Sequence, residues 1–220
     1  MKDKEFHTNF CRCQGQAQAL ADNFNRRVRG GPNLQINFLS CCVYTVKDDR
    51  WPGGEAQFLA EPFLEGEFIK FNNNGGAVNK WGAARPVSAL QRPPAALAGP
   101  RFDLDEIGEE DEEEEAGSAA AQRAAMGADD IPQCFSHFTH FFTSGDKLVC
   151  DLQGIYNDVD GFVLTDPVIH ESRKRGKNGR TDKGARGIDL FFETHRCNAL
   201  CRSLGLPPPV AGQPPGIPQR

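Results

Sequence analysis

Three side chains in the string Thr194-His195-Arg196-Cys197-Asn198-Ala199-Leu200-Cys201 could share one metal ion. On a helix, Cys197 and Cys201 would lie on one face a turn apart, with His195 on the turn before them. Thiolate and imidazole ligands at this spacing suit tetrahedral zinc, which then needs a fourth ligand from elsewhere. His137 and His140 are both candidates. A site closed by protein ligands is structural rather than catalytic. It would pin the last helix to an expected strand around Ser136. The pair Cys11 and Cys13 reads as helix-surface thiols, and Cys41 and Cys42 as core thiols.

A second constellation is built from oxygen donors. Asp151 ends the apolar run Lys147-Leu148-Val149-Cys150, and Gln153 follows on the same side if the strand continues. Asp166 comes next, before Pro167. Acids and an amide at the end of a buried strand can hold Mg²⁺ against phosphates, since that ion prefers a few oxygen ligands and keeps its waters. One Asp could also accept the proton of an attacking hydroxyl. Asp before Gly or Pro is equally ordinary turn chemistry, and Asp158 and Asp160 read as plain turn residues. Two further segments could meet a nucleotide. One runs from Glu61-Pro62-Phe63 through Gly66 and Lys70 to Asn74. The other, Gly176 to Gly187, is Gly-rich and basic, and its backbone N–H groups could cradle an anion. The basic run also fits a solvated loop or a nuclear-import patch.

The elements that must position these groups are legible in outline. Ala17, Leu20, Ala21, Phe24 and Val28 fall at helical spacing, which predicts an amphipathic helix from Cys11 to Val28, ended by Gly30-Gly31-Pro32. Strands are expected over Leu34–Leu39, Cys41–Val46, Ala56–Leu64 and Lys147–Leu152, with a turn at Trp51–Gly54. Asn157–Val163 is expected to bulge as a loop. Gly187–Leu204 reads as one helix. The composition changes between Ala84 and Asp130 to Ala, Pro, Gly and a solid acidic run. That segment cannot bury enough apolar surface to offset its chain entropy, so a disordered insert is expected there, and a Pro-rich tail from Pro207 to Arg220. The element order points to an α+β domain.

Composition narrows the function. The chain has 220 residues and a formal net charge of −5, with 16 Phe to build a core. The acidic run outweighs a mildly basic remainder, a balance compatible with anionic ligands. No apolar run is long enough for a membrane span, and the charged N-terminus does not read as a signal peptide. A cytoplasmic or nuclear setting with reduced thiols is the expectation. The Phe residues from Phe138 to Phe142 read as core rather than as a base-stacking platform, so nucleic acid is not an expected partner. There is no Walker A sequence and no HRD or DFG element.

The strings EPFLEGEFIKFNNNGG, CFSHFT, KLVCDLQG, LTDPVIH, GRTDKGARGIDLFF and THRCNALCRSLGL, in this order, resemble the alpha-kinase family. The segment CRCQGQAQALADNFN resembles that family's helix ahead of its central strands. The resemblance implies a two-lobed, atypical α+β kinase fold and ATP-dependent phosphorylation of serine and threonine in a protein substrate. Residues 1–83 would form the N-lobe remainder with the hinge and Asn-rich loop, and 131–206 the C-lobe. Glu61 and Phe63 would meet adenine, and Lys70, Asn74 and Gln153 would complete the ATP site. Asp151 and Asp166 would be the catalytic pair, with Mg²⁺ on Gln153 and Asp166. The division of the base role between Asp151 and Asp166 stays open. The zinc ligands would be His137, His195, Cys197 and Cys201. Gly179, Gly184 and Gly187 would belong to a substrate-binding loop. The family also has strands, one bearing an ATP-contacting Lys, ahead of the helix near which this sequence starts. An incomplete N-lobe is therefore expected, and the alternative reading is a pseudokinase-like, zinc-stabilised interaction module without phosphotransfer.

Overall fold

The computed structural model describes residues 2–28, 31–78, 127 and 129–208. The expected insert lies outside the described residues except for Gly127, Asp129 and Asp130, and the expected tail lies outside them except for Pro207 and Pro208. Helix α1 spans Lys2–Asn25. It begins before the expected Cys11, because its first turns carry no apolar stripe to mark them. Its buried face is the stripe Cys13, Ala17, Leu20, Ala21 and Phe24, an a/d-like spacing that presents one side to a core. Cys13 is therefore a core thiol, not a surface one. A 3₁₀ turn at Pro32–Leu34 leads into strand β1, Ile36–Phe38.

Strand β1 is shorter than expected, and α1 covers one of its edges. The Asn25 amide donates to the Ile36 carbonyl and accepts from the Ile36 N–H, both at 2.9 Å. Gln18 Oε1 accepts from Phe38 N at 2.6 Å. One turn earlier, Gln14 Nε2 donates to Leu39 O at 2.7 Å. A row of helix amides thus satisfies backbone groups that an open strand edge would leave unpaired.

Strands β2 (Cys42–Lys47) and β3 (Glu55–Ala60) form an antiparallel hairpin. β2 is exposed along its whole length, so Cys42 is an exposed thiol and not the expected core residue. β4 is the short pair Ile69–Lys70. Helix α2, Asp130–Phe142, replaces the expected strand around Ser136. Every residue from Ile131 to His140 is buried; Gln133, Ser136, His137 and His140 fall at helical spacing and mark a polar stripe that points into the protein rather than to solvent. Strands β5 (Lys147–Cys150), β6 (Gln153–Asn157), β7 (Gly161–Thr165) and β8 (Val168–Glu171) follow, then helices α3 (Ala185–Thr194) and α4 (Ala199–Ser203).

The central sheet has the order β1-β7-β6-β4, with β1 parallel to β7 and the other pairs antiparallel. β5 pairs with β8 in a separate two-stranded ladder. The expected bulge at Asn157–Val163 is instead the end of the β6–β7 hairpin, where Asn157 Oδ1 accepts from Val159 N and Asp160 N at 2.9 and 2.7 Å. Asp158 and Asp160 lie in this turn, as expected. Gly154 has φ +154, and a Cβ there would lie 2.1 Å from the Val163 carbonyl oxygen. Only glycine lets β6 come this close to β7.

The core forms where α1, α2 and the central sheet meet. Phe24 packs edge-on to Phe135 and Phe138, each at 5.4 Å between ring centroids. Phe71 meets Phe162 at 5.2 Å. Such contacts add to the burial of large apolar rings. Among the described residues no helix is long and apolar enough to cross a membrane. Phe24→Ala is expected to lower stability by about 3–5 kcal/mol, measured by urea unfolding. Val159→Ala, at a side chain 75% exposed, should stay within about 0.5 kcal/mol of the parent.

Candidate active site and metal centre

Sheet register assembles the oxygen donors. Lys70 on β4 lies opposite Gln153 on β6, and Gln153 lies opposite Thr165 on β7. Asp151 stands just ahead of this row and Asp166 just after it. Lys70 Nζ lies 2.7 Å from Asp151 Oδ1. Both aspartates adopt left-handed backbone, φ +59 at Asp151 and +49 at Asp166; Ser144 is the one other non-glycine residue to do so among those described. For a residue with a Cβ this conformation is strained, and such strain gathers at functional sites. The expected strand Lys147–Leu152 therefore stops at Cys150, and the chain turns sharply at Asp151.

Buried polar side chains hold this geometry. Asn72 is fully buried; its Oδ1 accepts from Leu152 N at 2.9 Å and its Nδ2 donates to Ser136 Oγ at 3.2 Å. The Phe71 N–H donates to Leu152 O at 2.8 Å. The backbone between Asp151 and Gln153 is thus fixed from both sides. The Glu61 carboxylate accepts from Thr165 Oγ1 at 2.8 Å and from Gln14 Nε2. Its side chain thus faces the end of β7. Phe63 is 89% exposed. Burial first, then the charges of Asp151 and Glu61, push the Asp166 carboxyl above its ordinary range, and Lys70 opposes them.

Lys70, Asn74 and Asp151 line one cavity of ≈ 480 Å³ with Lys183 from the Gly-rich loop and Leu190, Glu193 and Thr194 from α3. Gln153, Asp166, Glu61 and Phe63 do not line it. Asn74 Nδ2 donates to Thr181 O at 3.1 Å, so the Asn-rich loop is tied to the Gly-rich loop. Two residues that sequence reasoning passed over organise this junction. Asp182, buried, accepts from Gly184 N at 2.8 Å, Asn178 N at 3.1 Å and Glu171 N at 3.2 Å. An Asp two residues before Gly is a turn signal that could have flagged it. His170, fully buried on β8, accepts from Lys183 N at its Nδ1, at 3.0 Å. Its proton therefore sits on Nε2, which reaches Asn74 O at 3.0 Å.

The glycines of this loop have structural reasons. Gly179 and Gly184 hold φ +103 and +65. A Cβ at Gly187 would lie 2.3 Å from the His170 ring, so α3 packs against His170 only with glycine there. The basic run is partly paired: Arg173 with Asp146 at 2.8 Å, Arg186 with Glu193 at 2.7 Å, and Lys177 with Glu171.

The ligand atoms of His137, His195, Cys197 and Cys201 all lie within 4.8 Å of one another. Cys197 Sγ is 3.7 Å from His137 Nδ1, and Cys201 Sγ is 3.8 Å from His195 Nε2. Separations of this size match the edges of a tetrahedron with zinc–sulfur bonds of about 2.3 Å and zinc–nitrogen bonds of about 2.0 Å. His140 stays outside the group and packs on Phe192 at 5.0 Å. The expected single helix is broken: His195 is extended, and Asn198 caps α4 by accepting from Cys201 N at 2.9 Å. Cys197 therefore approaches from the break and Cys201 from α4. A hydrogen bond with Cys134 leads the causes that draw the Cys201 thiol well below its ordinary range, and those with His137 and His195 add to it against burial. A thiolate is the form a metal needs.

Acid should loosen the His170 junction. Burial lowers the His170 pKa from 6.5, so the unfolded chain takes up a proton there before the folded chain does. The stability it contributes is complete above about pH 6.5 and is lost as pH falls toward its depressed folded value. In urea unfolding, the stability gap between the parent and His170→Gln is expected to narrow from pH 7.5 to pH 5.5; a constant gap would contradict this assignment.

Comparison with known proteins agrees with these features. A model of the alpha-kinase family matches residues 1–92 and 113–201. Eukaryotic elongation factor 2 kinase of Rattus norvegicus is 29% identical over 207 residues, covering 94% of this chain and 21% of that protein. Myosin heavy chain kinase B of Dictyostelium discoideum is 28% identical over 190 residues, covering 86% of this chain and 18% of that protein. The chain thus spans about a fifth of the length of the curated relatives it matches. Among solved structures, the alpha-kinase domain of myosin-II heavy chain kinase A in complex with AMP-PNP superposes with a TM-score of 0.62 at 28% identity, covering 94% of this chain and 59% of that one. An inactive form of the same domain complexed with ATP gives 0.61 at 26% identity, covering 94% and 60%. The strand-end aspartates, the sheet that carries them and the matched family model together make this chain a member of the alpha-kinase family.

Proposed function

We propose that the chain transfers the γ-phosphoryl group of ATP to serine or threonine side chains of a protein. The observation that carries this reading is the row Lys70–Gln153–Thr165 with left-handed Asp151 and Asp166 at its ends. Relatives named as kinases, and structures of a relative with ATP and AMP-PNP, support it. Phosphoryl transfer asks the protein for alignment and charge neutralisation more than for covalent chemistry. The hinge backbone at Glu61 to Phe63 would receive adenine, and Lys70 and Asn74 would face ribose and phosphates. Asp151, Gln153 and Asp166 offer the oxygen donors that Mg²⁺ prefers, with Gln153 and Asp166 as its holders. Bound there, the ion would neutralise phosphate charge. One of Asp151 and Asp166 would accept the acceptor hydroxyl's proton. The loop bearing Gly179, Gly184 and Gly187 would meet the protein substrate across the Lys183 side of the cavity.

The cluster of His137, His195, Cys197 and Cys201 serves as a closed structural zinc site that fastens the α3–α4 break to α2. It carries no chemistry in this scheme. A two-lobed arrangement like that of the family is part of the same proposal.

Purified chain with ATP, Mg²⁺ and a generic Ser/Thr protein should transfer labelled phosphate, and Asp166→Ala should reduce transfer at least 100-fold while keeping the fold. Undiminished transfer by Asp166→Ala would overturn the assignment of that residue, and silence from folded parent would favour an interaction module. Metal analysis should find about one zinc per chain. Chelation should lower the melting temperature, because a closed site contributes folding energy; Cys201→Ser should remove both effects.

A further inference from the structure

Gln14 lies on α1, far in sequence from every residue with chemistry, yet it is 1% exposed. Both its amide nitrogen and its amide oxygen are engaged at the site. Its amide nitrogen donates to Leu39 O at 2.7 Å and to the Glu61 carboxylate. Its amide oxygen accepts from the backbone N–H of Asp166 at 3.1 Å. Glu61 in turn takes the Thr165 hydroxyl at 2.8 Å. One neutral side chain therefore touches both the hinge acid and the strained aspartate that follows β7. The same turn of α1 also grips the Gly-rich loop: Arg12 donates to Asn178 Oδ1 at 2.9 Å and to Lys177 O at 2.8 Å, and the Cys13 thiol reaches Asn178 O at 3.5 Å.

From these contacts we infer that Gln14 is a positioning residue for phosphoryl transfer: it fixes the backbone of Asp166 against Glu61, so that the hinge and the carboxylate end of the site are set by one amide. The inference rests on the function proposed above. Chemistry explains why the residue is Gln. The site presents two acceptors, the Leu39 carbonyl and the Glu61 carboxylate, and one donor, the Asp166 N–H. Only a neutral amide satisfies all of them at once. A carboxylate at this position would oppose Glu61 and donate to nothing. A thioether would match the shape and leave the three partners without a strong hydrogen bond. The thioether releases the Asp166 N–H, and the carboxylate keeps that bond but is pushed from its place by Glu61; either way Asp166, whose left-handed φ needs its surroundings to hold it, loses its fixed position. A displacement of about 1 Å at a reacting group can cost about 10²-fold in rate.

The test is steady-state phosphate transfer by the full chain carrying Gln14→Met, Gln14→Glu, Glu61→Gln or the exchange Gln14→Glu with Glu61→Gln. Zinc content and near-ultraviolet circular dichroism report the folded fraction. Gln14→Met is expected to lower kcat about 10- to 100-fold per folded molecule, with KM for ATP changed less than about threefold. Gln14→Glu should fall further. The exchange variant should recover at least tenfold over Gln14→Glu. In it the amide now at position 61 can donate to the carboxylate now at position 14, which still accepts from the Asp166 N–H. Such a recovery is not expected of a residue that merely fills space. If Gln14→Glu does not fold, Gln14→Met alone decides. An active parent whose Gln14→Met variant keeps kcat, or loses it only in proportion to folded fraction, overturns the role of Gln14. An inactive, folded parent overturns phosphoryl transfer itself, and the role falls with it.

Discussion

Two aspartates in left-handed backbone bound the β6–β7 hairpin. Asp151 and Asp166 hold φ +59 and +49, a conformation that costs about 1–2 kcal/mol for a residue with a Cβ. Neither would persist without help. Asn72 clamps Leu152 next to the first, Lys70 pairs with its carboxylate, and Gln14 takes the N–H of the second. Much of the fold can be understood as the apparatus for this pair. α1 supplies the amide, α2 supplies Ser136 behind Asn72, and β4 supplies the lysine.

The same logic of buried polar cross-links extends to the loops that flank the cavity. His170 joins β8 to the Asn-rich loop through Asn74 O and to the Gly-rich loop through Lys183 N. Asp182 gathers three backbone N–H groups from β8 and the Gly-rich loop. Each bond is modest, but an unpaired buried group is costly. The proposed zinc site lies at the other end of α3, so that the helix lining the cavity is held at its start by Gly187 against His170 and after its end by His195, Cys197 and Cys201.

Chemistry-bearing residues were the legible part of the sequence. The acids and thiols stood out because their strings, taken in order, resemble the alpha-kinase family, although each Asp alone reads equally as a turn residue, and the buried stripe of α1 showed the helical period. What escaped were the residues whose partners are distant in sequence. Gln14, Gln18, Asn25, Asn72 and His170 look like ordinary polar positions until the chain folds, since no local pattern encodes a bond to Asp166 or Asn74. α2 was misread because it is buried on every side and carries β-favouring Phe and Thr. The break in the expected Gly187–Leu204 helix was missed although Asn198 is a good N-cap, because the run of helical periodicity on both sides masked it. The β6–β7 turn carried its signal in Asn157 and Gly161, but the short strands beside it were too brief to register.

The most direct test is calorimetric titration of the chain with AMP-PNP, with and without Mg²⁺, for the parent and for Asp166→Asn. Mg²⁺ is expected to tighten binding to the parent by at least tenfold. Asp166→Asn, which keeps the shape and removes the charge, should abolish most of that gain. Equal enhancement by Mg²⁺ in both proteins would contradict this mechanism, because the strained aspartate would then have no part in holding the metal–nucleotide.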